Sequence, residues 1–274
     1  MVHKEFFMIK AIVTGAAGRM GSRIINILSS SEDIVLGGAL EKKGHPLVGQ
    51  DAGGPAGITA TGVRIADDLF TTLSAGEVLI DFTFPEVSLQ HIRSCAAVGK
   101  AMVIGSTGFS KEQLEEIRKS AYKVPCVLSP NMSVGVNVCF KILADLAKIL
   151  GPDFDVEIVE AHHRLKKDAP SGTAVRMGEV VAAALGRDYR QVANYHREGI
   201  IGERRKDEIG MQTIRGGDIV GEHTVYFIGM GERIELTHRA HTRDMFAHGA
   251  IRAAGWVVGK KPGLYDMQDV LGLK

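Results

Sequence analysis

An apolar run from Phe6 to Val13, broken by one lysine, leads directly into Thr14-Gly-Ala-Ala-Gly-Arg-Met-Gly21. Ile24, Ile25, Ile27 and Leu28 then follow at helical spacing. A near-continuous apolar run suits a strand buried on both faces. Strand, glycine loop and helix, in that order, form the opening unit of a sheet that binds dinucleotides. In that setting Gly15 permits the tight turn, Gly18 lets the backbone approach a pyrophosphate, and Gly21 lets helix and sheet pack closely. The spacing is GxxGxxG, one residue off the usual GxGxxG, so the loop alone does not decide the fold.

The alternation that follows does. Ile34 to Leu40 reads as a second strand, and Glu41 ends it where an acidic residue grips the adenosine ribose in NAD sites. Lys42 and Lys43 beside it could receive a 2′-phosphate, so NADH and NADPH both fit. Val78 to Phe82, Ala101 to Ile104 and Cys126 to Leu128 read as further strands, with helices over Val87 to Val98 and Lys111 to Tyr122 between them. Alternating strands and helices imply an α/β fold with a parallel, doubly wound sheet, which binds ligands beyond the carboxyl ends of its strands. The loops after Val13, Leu40, Phe82, Ile104 and Leu128 should therefore line one crevice. Gly44 to Gly62 reads as a glycine-rich loop, either mobile over the cofactor or an irregular surface excursion.

The second half differs in kind. A long apolar helix from Gly135 to Leu150, stopped by Gly151-Pro152, suggests a connection between domains. Glu208 to Arg215, Gly221 to Gly229 and Glu232 to Thr242 read as strands of an open sheet, and Phe246 to Val258 returns to helix. Ile228, Met230, Ile234 and Leu236 are apolar residues of that sheet which subunit association would cover.

The densest chemistry lies in Glu160-Ala-His-His-Arg-Leu-Lys-Lys-Asp-Ala-Pro-Ser-Gly-Thr-Ala174. Asp155 to Val159 before it reads as a strand, and Val175, Val180, Val181 and Leu185 after it as a helix beginning at Pro170-Ser171. The backbone N–H groups of Gly172 and Thr173 at that helix start would attract an anion. Arg164, Lys166 and Lys167 lie just upstream. The stretch suits a small, multiply charged acid, with histidine to move protons. A strand-ending His-His pair beside a solvated Lys-Lys is the structural alternative.

Composition excludes several other classes. Of 274 residues 45% are hydrophobic and 24% charged, the net charge is +1, and no apolar run approaches a membrane span. No global field favours nucleic acid. The N-terminus lacks the apolar stretch of a signal peptide. Cys95, Cys126 and Cys139 are an odd number without CxxC spacing, so neither a disulfide framework nor zinc is indicated, and a reduced cytoplasmic setting is expected. Scattered His238, His241 and His248 do not make a metal site, so no metal is expected.

Several motifs, spread in order over essentially the whole chain, resemble the dihydrodipicolinate reductase family. They are Gly15-Ala-Ala-Gly-Arg-Met-Gly21, Gly105-Ser-Thr-Gly-Phe109, Asn131-Met-Ser-Val-Gly-Val-Asn137, Glu160-Ala-His-His163 with Asp168-Ala-Pro-Ser-Gly-Thr173, and Gly217-Asp-Ile-Val-Gly-Glu-His223. Ser106 stands where threonine is frequent, and Lys42 where arginine is frequent. The resemblance implies reduction, by NADH or NADPH, of 4-hydroxy-tetrahydrodipicolinate through its dehydrated imine, in lysine and diaminopimelate synthesis. It implies hydride delivery to ring C4 and a proton from His162 assisted by Lys166. It also implies a Rossmann domain (residues 1–133 and 243–274) and an α+β substrate and tetramerisation domain with an open mixed sheet (residues 134–242). Gly15, Ala16, Ala17, Gly18, Arg19, Met20, Glu41 and Lys42 should hold one end of the dinucleotide. Gly105, Ser106, Thr107, Ser129, Pro130, Asn131 and Met132 should hold the nicotinamide half. His163, Gly172 and Thr173 should hold substrate carboxylates. The resemblance further implies a cytoplasmic homotetramer. A different NAD(P) oxidoreductase is an alternative; an aldehyde-type enzyme would need a nucleophilic cysteine near the nicotinamide, where Cys126 sits inside a strand pattern and Cys139 on the long helix is a weak candidate. A non-catalytic dinucleotide sensor is the other, and it has no need of the His-His-x-x-Lys and Ser-Gly-Thr combination.

Overall fold

The computed structural model describes residues 8–274, so Phe6 and Phe7 of the first apolar run lie outside the described residues. The chain divides into two units, one running to Val134 and resuming at Asp244–Lys274, the other Gly135–Arg243.

The first unit opens with β1 (Ile9–Thr14), whose last four residues are buried, and α1 (Arg19–Leu28), which buries Gly21, Ile24, Ile25 and Leu28. β2 (Ile34–Leu40), α2 (Gly53–Ala56), β3 (Ile65–Ala66) and α3 (Leu69–Leu73) follow. Next come β4 (Val78–Asp81), α4 (Pro85–Val98), β5 (Ala101–Ile104), α5 (Lys111–Ala121) and β6 (Pro125–Leu128). Pro at the first turn of α4 and a Ser110–Gln113 capping box on α5 set those helix starts.

The second unit contains α6 (Val134–Leu150), a 3₁₀ turn at Gly151–Asp153, β7 (Asp155–His162), α7 (Gly172–Ala184) and α8 (Tyr189–Val192). It continues with β8 (Ala193–Asn194), β9 (Ile209–Arg215), β10 (Gly221–Ile228) and β11 (Arg233–Ala240). The first unit then resumes with α9 (Asp244–Val257), β12 (Gly263–Tyr265) and α10 (Met267–Leu271).

Among the described residues the first unit holds a seven-stranded sheet in the order β12-β6-β5-β4-β1-β2-β3, and every pairing in it is parallel. The order turns back at β1, so the carboxyl ends of β1 and β4 flank the switch point where open α/β sheets bind ligands. One face packs on α1 and on the alanine- and glycine-rich α9, where Gly249 is required because a Cβ there would strike the Met132 carbonyl. The expected C-terminal helix is present. The chain also adds an edge strand, β12 beside β6, too short at three residues to show in a periodicity.

Gly44 to Gly62 is not the free loop its glycines suggest. The Asp51 carboxylate accepts from the N–H groups of Gly53, Thr61 and Gly62 and from the Thr61 hydroxyl, at 2.8–3.0 Å. These bonds, the Thr61 N–H foremost, lower its pKa. Ala52 is fully buried, and Asn26 of α1 donates to the Ala56 carbonyl at 3.0 Å.

The second sheet is mixed, in the order β11-β10-β7-β9-β8. Its strands alternate: Val156, Ile158, Ile209, Met211, Val225 and Phe227 face a core shared with α6 and α7. Ile234 and Leu236 pair with Phe227 and Val225 and pack on that same core. The expectation that they need covering by another subunit is therefore corrected, because period two places them inward. The outward face carries instead Val159, Ile214, Tyr226 and Ile228, and Met230 is fully exposed in the following turn. Arg197 and Arg204 clamp the segment before β9 to Glu157 on this face, and Gly210 leaves room for that carboxylate.

Candidate active site

Glu160 and His162 are two residues apart at the end of β7, so they share a face, the one that lower down the strand carries Val156 and Ile158. Register places Thr213 of β9 and His223 of β10 beside Glu160, and Arg215 beside His162. The apolar core thus gives way, at one end of the sheet, to a polar cluster on the same face.

Glu160 is its centre and is 1% exposed. Its Oε2 lies 2.6 Å from His162 Nδ1 and accepts from Arg215 at 2.8 Å. Its Oε1 accepts from Arg215 at 2.8 Å, from the Ser171 N–H at 3.0 Å and from the Thr213 hydroxyl at 3.3 Å. Burial opposes the charged form, but the bonds from His162, Arg215 and Ser171 outweigh it and hold the carboxyl at about 2. A carboxylate accepts only, so His162 carries its hydrogen on Nδ1 and leaves Nε2 for chemistry. Gly221 makes space there, since a Cβ would stand 3.0 Å from His162 Nε2.

The loop from β7 to α7 is tied to the same cluster. Arg215 donates to the Asp168 carbonyl at 2.7 Å, and the N–H groups of Gly216 and Arg164 bond the His162 and Gly217 carbonyls. Ser171 caps α7, its hydroxyl accepting from the Ala174 N–H at 3.2 Å. Gly172 is exposed, and a Cβ on it would meet nothing within 4 Å, so the helix end faces open space. Lys166 Nζ lies 2.9 Å from Asp168, which lowers the Asp168 pKa, rather than against His162. His163 stands 3.5 Å from the Arg243 guanidinium. Lys167 is exposed. Of the bonding residues, Ser171 marks the start of α7 in the sequence and His223 closes the Gly217–His223 motif, whereas Arg215 on β9 and Arg243 just before α9 carry no local sequence signal.

In the first unit, Gly15 has φ +60°, its carbonyl accepts from the Gly18 N–H at 2.8 Å, and a Cβ on Gly21 would collide with that carbonyl. Gly21 therefore lets α1 pack against its own loop, at Gly15 and Ala16. Ala16 is buried; Gly18 and Arg19 are exposed, and Met20 packs partly on the core. No side chain caps α1, leaving its first N–H groups for an anion. Glu41 Oε1 accepts from the Ala17 N–H at 3.0 Å and Oε2 from the Lys42 N–H at 3.1 Å, while the Lys42 side chain is exposed. The glycine loop and the acid at the end of β2 are thus brought together, and they fit the pyrophosphate and ribose of a dinucleotide.

The later loops are more mixed. Gly105 lies on the Phe82 ring, and Thr107 and Pro130 are exposed. The Ser106 hydroxyl is buried between Ser88 at 2.8 Å and Asp81 at 3.3 Å. Ser129 donates to the Asn131 carbonyl at 2.8 Å, Asn131 Oδ1 accepts from the Ser133 N–H, and the Met132 side chain is 1% exposed in the core. Ser106 and Met132 therefore offer a ligand only their backbone. Beneath these loops Asp81 is fully buried, accepts twice from Thr83 and lies 2.6 Å from His91 Nδ1, a network the sequence reading did not find. Cys95, Cys126 and Cys139 are all buried, and burial raises all three thiols, Cys95 to about 12. None is an activated nucleophile. Among the described residues no group of three or more His, Cys, Asp or Glu could hold a metal, and no helix is long and apolar enough to cross a membrane.

Family models described as dihydrodipicolinate reductase, N-terminus and C-terminus, match residues 9–132 and 135–271. The chain is 69% identical over 267 residues to a 4-hydroxy-tetrahydrodipicolinate reductase of Citrifermentans bemidjiense, covering 97% of this chain and 100% of that one. It is 70% identical, with the same coverage, to the enzyme of that name from Geotalea uraniireducens. A dipicolinate-bound dihydrodipicolinate reductase from Paenisporosarcina sp. TG-14 superposes with a TM-score of 0.77 at 25% identity, over 96% of this chain and 98% of that one. GenD2 from gentamicin A biosynthesis, solved with NAD, shares the fold with a TM-score of 0.61 at 12% identity, over 97% and 91% of the two chains.

Proposed function

The chain belongs to the dihydrodipicolinate reductase family and catalyses NAD(P)H-dependent reduction of 4-hydroxy-tetrahydrodipicolinate in lysine biosynthesis; on that premise we propose how its residues divide the work. The observation that carries the proposal is a shared carboxylate. Glu160 binds His162 through one oxygen and the Ser171 N–H, at the start of α7, through the other. The proton donor and the anion-attracting helix end are thereby held by one rigid group.

The nicotinamide, held by the backbone of residues 105–107 and 129–132, would supply the hydride for ring C4 of the substrate. Hydride addition at C4 of the conjugated imine leaves electron density on the ring nitrogen and on the ring carbon next to C4, so a proton must follow. His162 delivers it from Nε2 while Glu160 keeps Nδ1–H in place and stabilises the charged ring. Arg215 shares the Glu160 charge and keeps that carboxylate ionised. Lys166 exchanges Asp168 for the substrate and offsets the developing negative charge. One substrate carboxylate sits on Gly172 and Thr173 at the N-terminus of α7, and the other against His163, with Arg243 beside it.

The dinucleotide is held by Gly15 to Met20 at the start of α1, by Glu41 on the adenosine ribose with Lys42 tolerating a 2′-phosphate, and by the backbone of residues 105–107 and 129–132. Residues 1–133 with 243–274 act as the cofactor domain and 134–242 as the substrate domain. We assign the protein to the cytoplasm as a homotetramer, its outward sheet face (Val159, Ile214, Tyr226, Ile228) buried between subunits.

Dipicolinate, the ligand in the Paenisporosarcina relative, tests the anion pocket. It should inhibit competitively with substrate, and Lys166→Ala should weaken that inhibition. Full activity at millimolar dipicolinate would refute the pocket.

A further inference from the structure

His223 is a buried histidine to which the proton transfer assigns no role. It lies directly across from Glu160 in the β7–β10 pairing, is 5% exposed, and sets its ring edge-on to His162 with centroids 5.2 Å apart. Its Nε2 is 2.9 Å from the Ser171 hydroxyl, and its Nδ1 is buried with no hydrogen-bond partner. Burial, followed by neighbouring His162, pushes its pKa down to about 4, so the ring is neutral. An unpartnered buried nitrogen is costly. Apolar residues serve elsewhere on this face, at Val225 and Phe227 of the same strand, so shape alone does not call for an imidazole.

Ser171 shows what the imidazole does. Its N–H is donated to Glu160 and its oxygen accepts the Ala174 N–H that closes the first turn of α7. The hydroxyl hydrogen is then free for His223 Nε2. Without that acceptor the hydroxyl is free to rotate, and the cap that orients the first turn loses one of its two anchors. The turn concerned is the one whose Gly172 and Thr173 meet the substrate.

We propose that His223 is a positioning residue for the reduction, acting through Ser171 to hold the carboxylate-binding end of α7 in register with the Glu160–His162 pair. This rests on the assignment of that helix end to a substrate carboxylate. His223 touches neither substrate nor cofactor; it sets the orientation of the group that binds one.

The test uses His223→Leu, which fills the space without an acceptor, and His223→Gln, whose amide oxygen can take the place of Nε2. These are compared with Ser171→Ala, the double variant Ser171→Ala/His223→Leu, and His162→Gln on the full-length protein. Measured are KM, kcat, the dipicolinate inhibition constant, NADH affinity and Tm. His223→Leu should raise KM and the inhibition constant about threefold to tenfold, the worth of one net hydrogen bond, with a smaller fall in kcat and no change in NADH affinity. His223→Gln should recover most of that loss. Ser171→Ala should show a similar shift, and the double variant should be no worse than the poorer single one. A His223→Leu protein with a lowered Tm but normal KM and inhibition constant would overturn the proposal, as would losses that multiply in the double variant. If His223→Leu cannot be obtained folded, His223→Gln decides: normal KM and inhibition constant are expected, and a loss as large as that of Ser171→Ala refutes it. His162→Gln and dipicolinate competition on the unaltered protein test the underlying site separately. Retained kcat or absent competition there marks a failure of the site assignment rather than of His223.

Discussion

Replacing Glu160 by glutamine changes one oxygen for an NH₂ and removes one charge. Donors converge on both oxygens: His162 and Arg215 on Oε2; Ser171, Arg215 and Thr213 on Oε1. Either amide orientation therefore turns an NH₂ towards at least two donors. The stability cost follows from the titration. The carboxyl is held at about 2 in the folded chain against an ordinary 4.5, which corresponds to about 3 kcal/mol. Because the folded value is depressed, this stability is complete above pH 4.5 and is lost as pH falls from 4.5 through 2. Near neutral pH, Glu160→Gln should then lower Tm by about 6–12 °C. The kinetic cost is separate: His162 loses the acceptor that keeps its hydrogen on Nδ1, and kcat should drop roughly 10²–10⁴-fold. NADH affinity, which we assign to the glycine loop and Glu41, should hold. Steady-state NADH oxidation, a fluorescence titration of NADH and thermal melts at pH 7 and pH 3 measure all three. A variant within a few-fold of normal kcat and with unchanged Tm at pH 7 would refute the central place given to this carboxylate.

His162→Gln should lower kcat by roughly 10²–10⁴ with little change in NADH affinity, and Lys166→Ala should lower kcat and raise KM. If both serve one charge-developing step, as proposed, their double variant should lose less than the product, and a kcat near normal for His162→Gln removes that residue from the mechanism. Glu41→Ala should weaken NADH by about tenfold to 150-fold, the size of a charged hydrogen bond, and NADPH by less; equal losses in a titration refute the ribose contact. His223 is held neutral to about 4, while the unfolded chain takes its proton near 6.5. The stability it contributes is therefore present above pH 6.5 and lost as pH falls towards 4, about 3 kcal/mol in all. Denaturant titrations from pH 7 to 4 should show that slope, and His223→Gln should remove it; an unchanged slope counts against a buried neutral ring. Ile214→Asp on the outward sheet face should reduce the particle mass in light scattering without lowering monomer helicity, and an unaltered mass would exclude that face from assembly.

Most of the first unit was legible in the chain because its signals are local. A buried parallel strand is a short apolar run, a glycine turn needs its glycine at one position, and the acid at the end of β2 lies a fixed distance along a βαβ unit. The same locality made Glu160, His162, Ser171 and Gly172 visible, since β7, the loop and the start of α7 are contiguous. Beyond that reach the sequence misled or was silent. Gly44–Gly62 looked free because the bonds that pin it join Asp51 to residues ten and eleven positions away. Ile234 and Leu236 looked exposed because a strand shows which residues share a face but not which face is covered, and only pairing with Val225 and Phe227 decides that. Arg215 and His223 reach Glu160 and Ser171 across separations of 55 and 52 residues. Their roles are fixed by strand register, and register is set by the summed burial of whole strands rather than by any residue near the site.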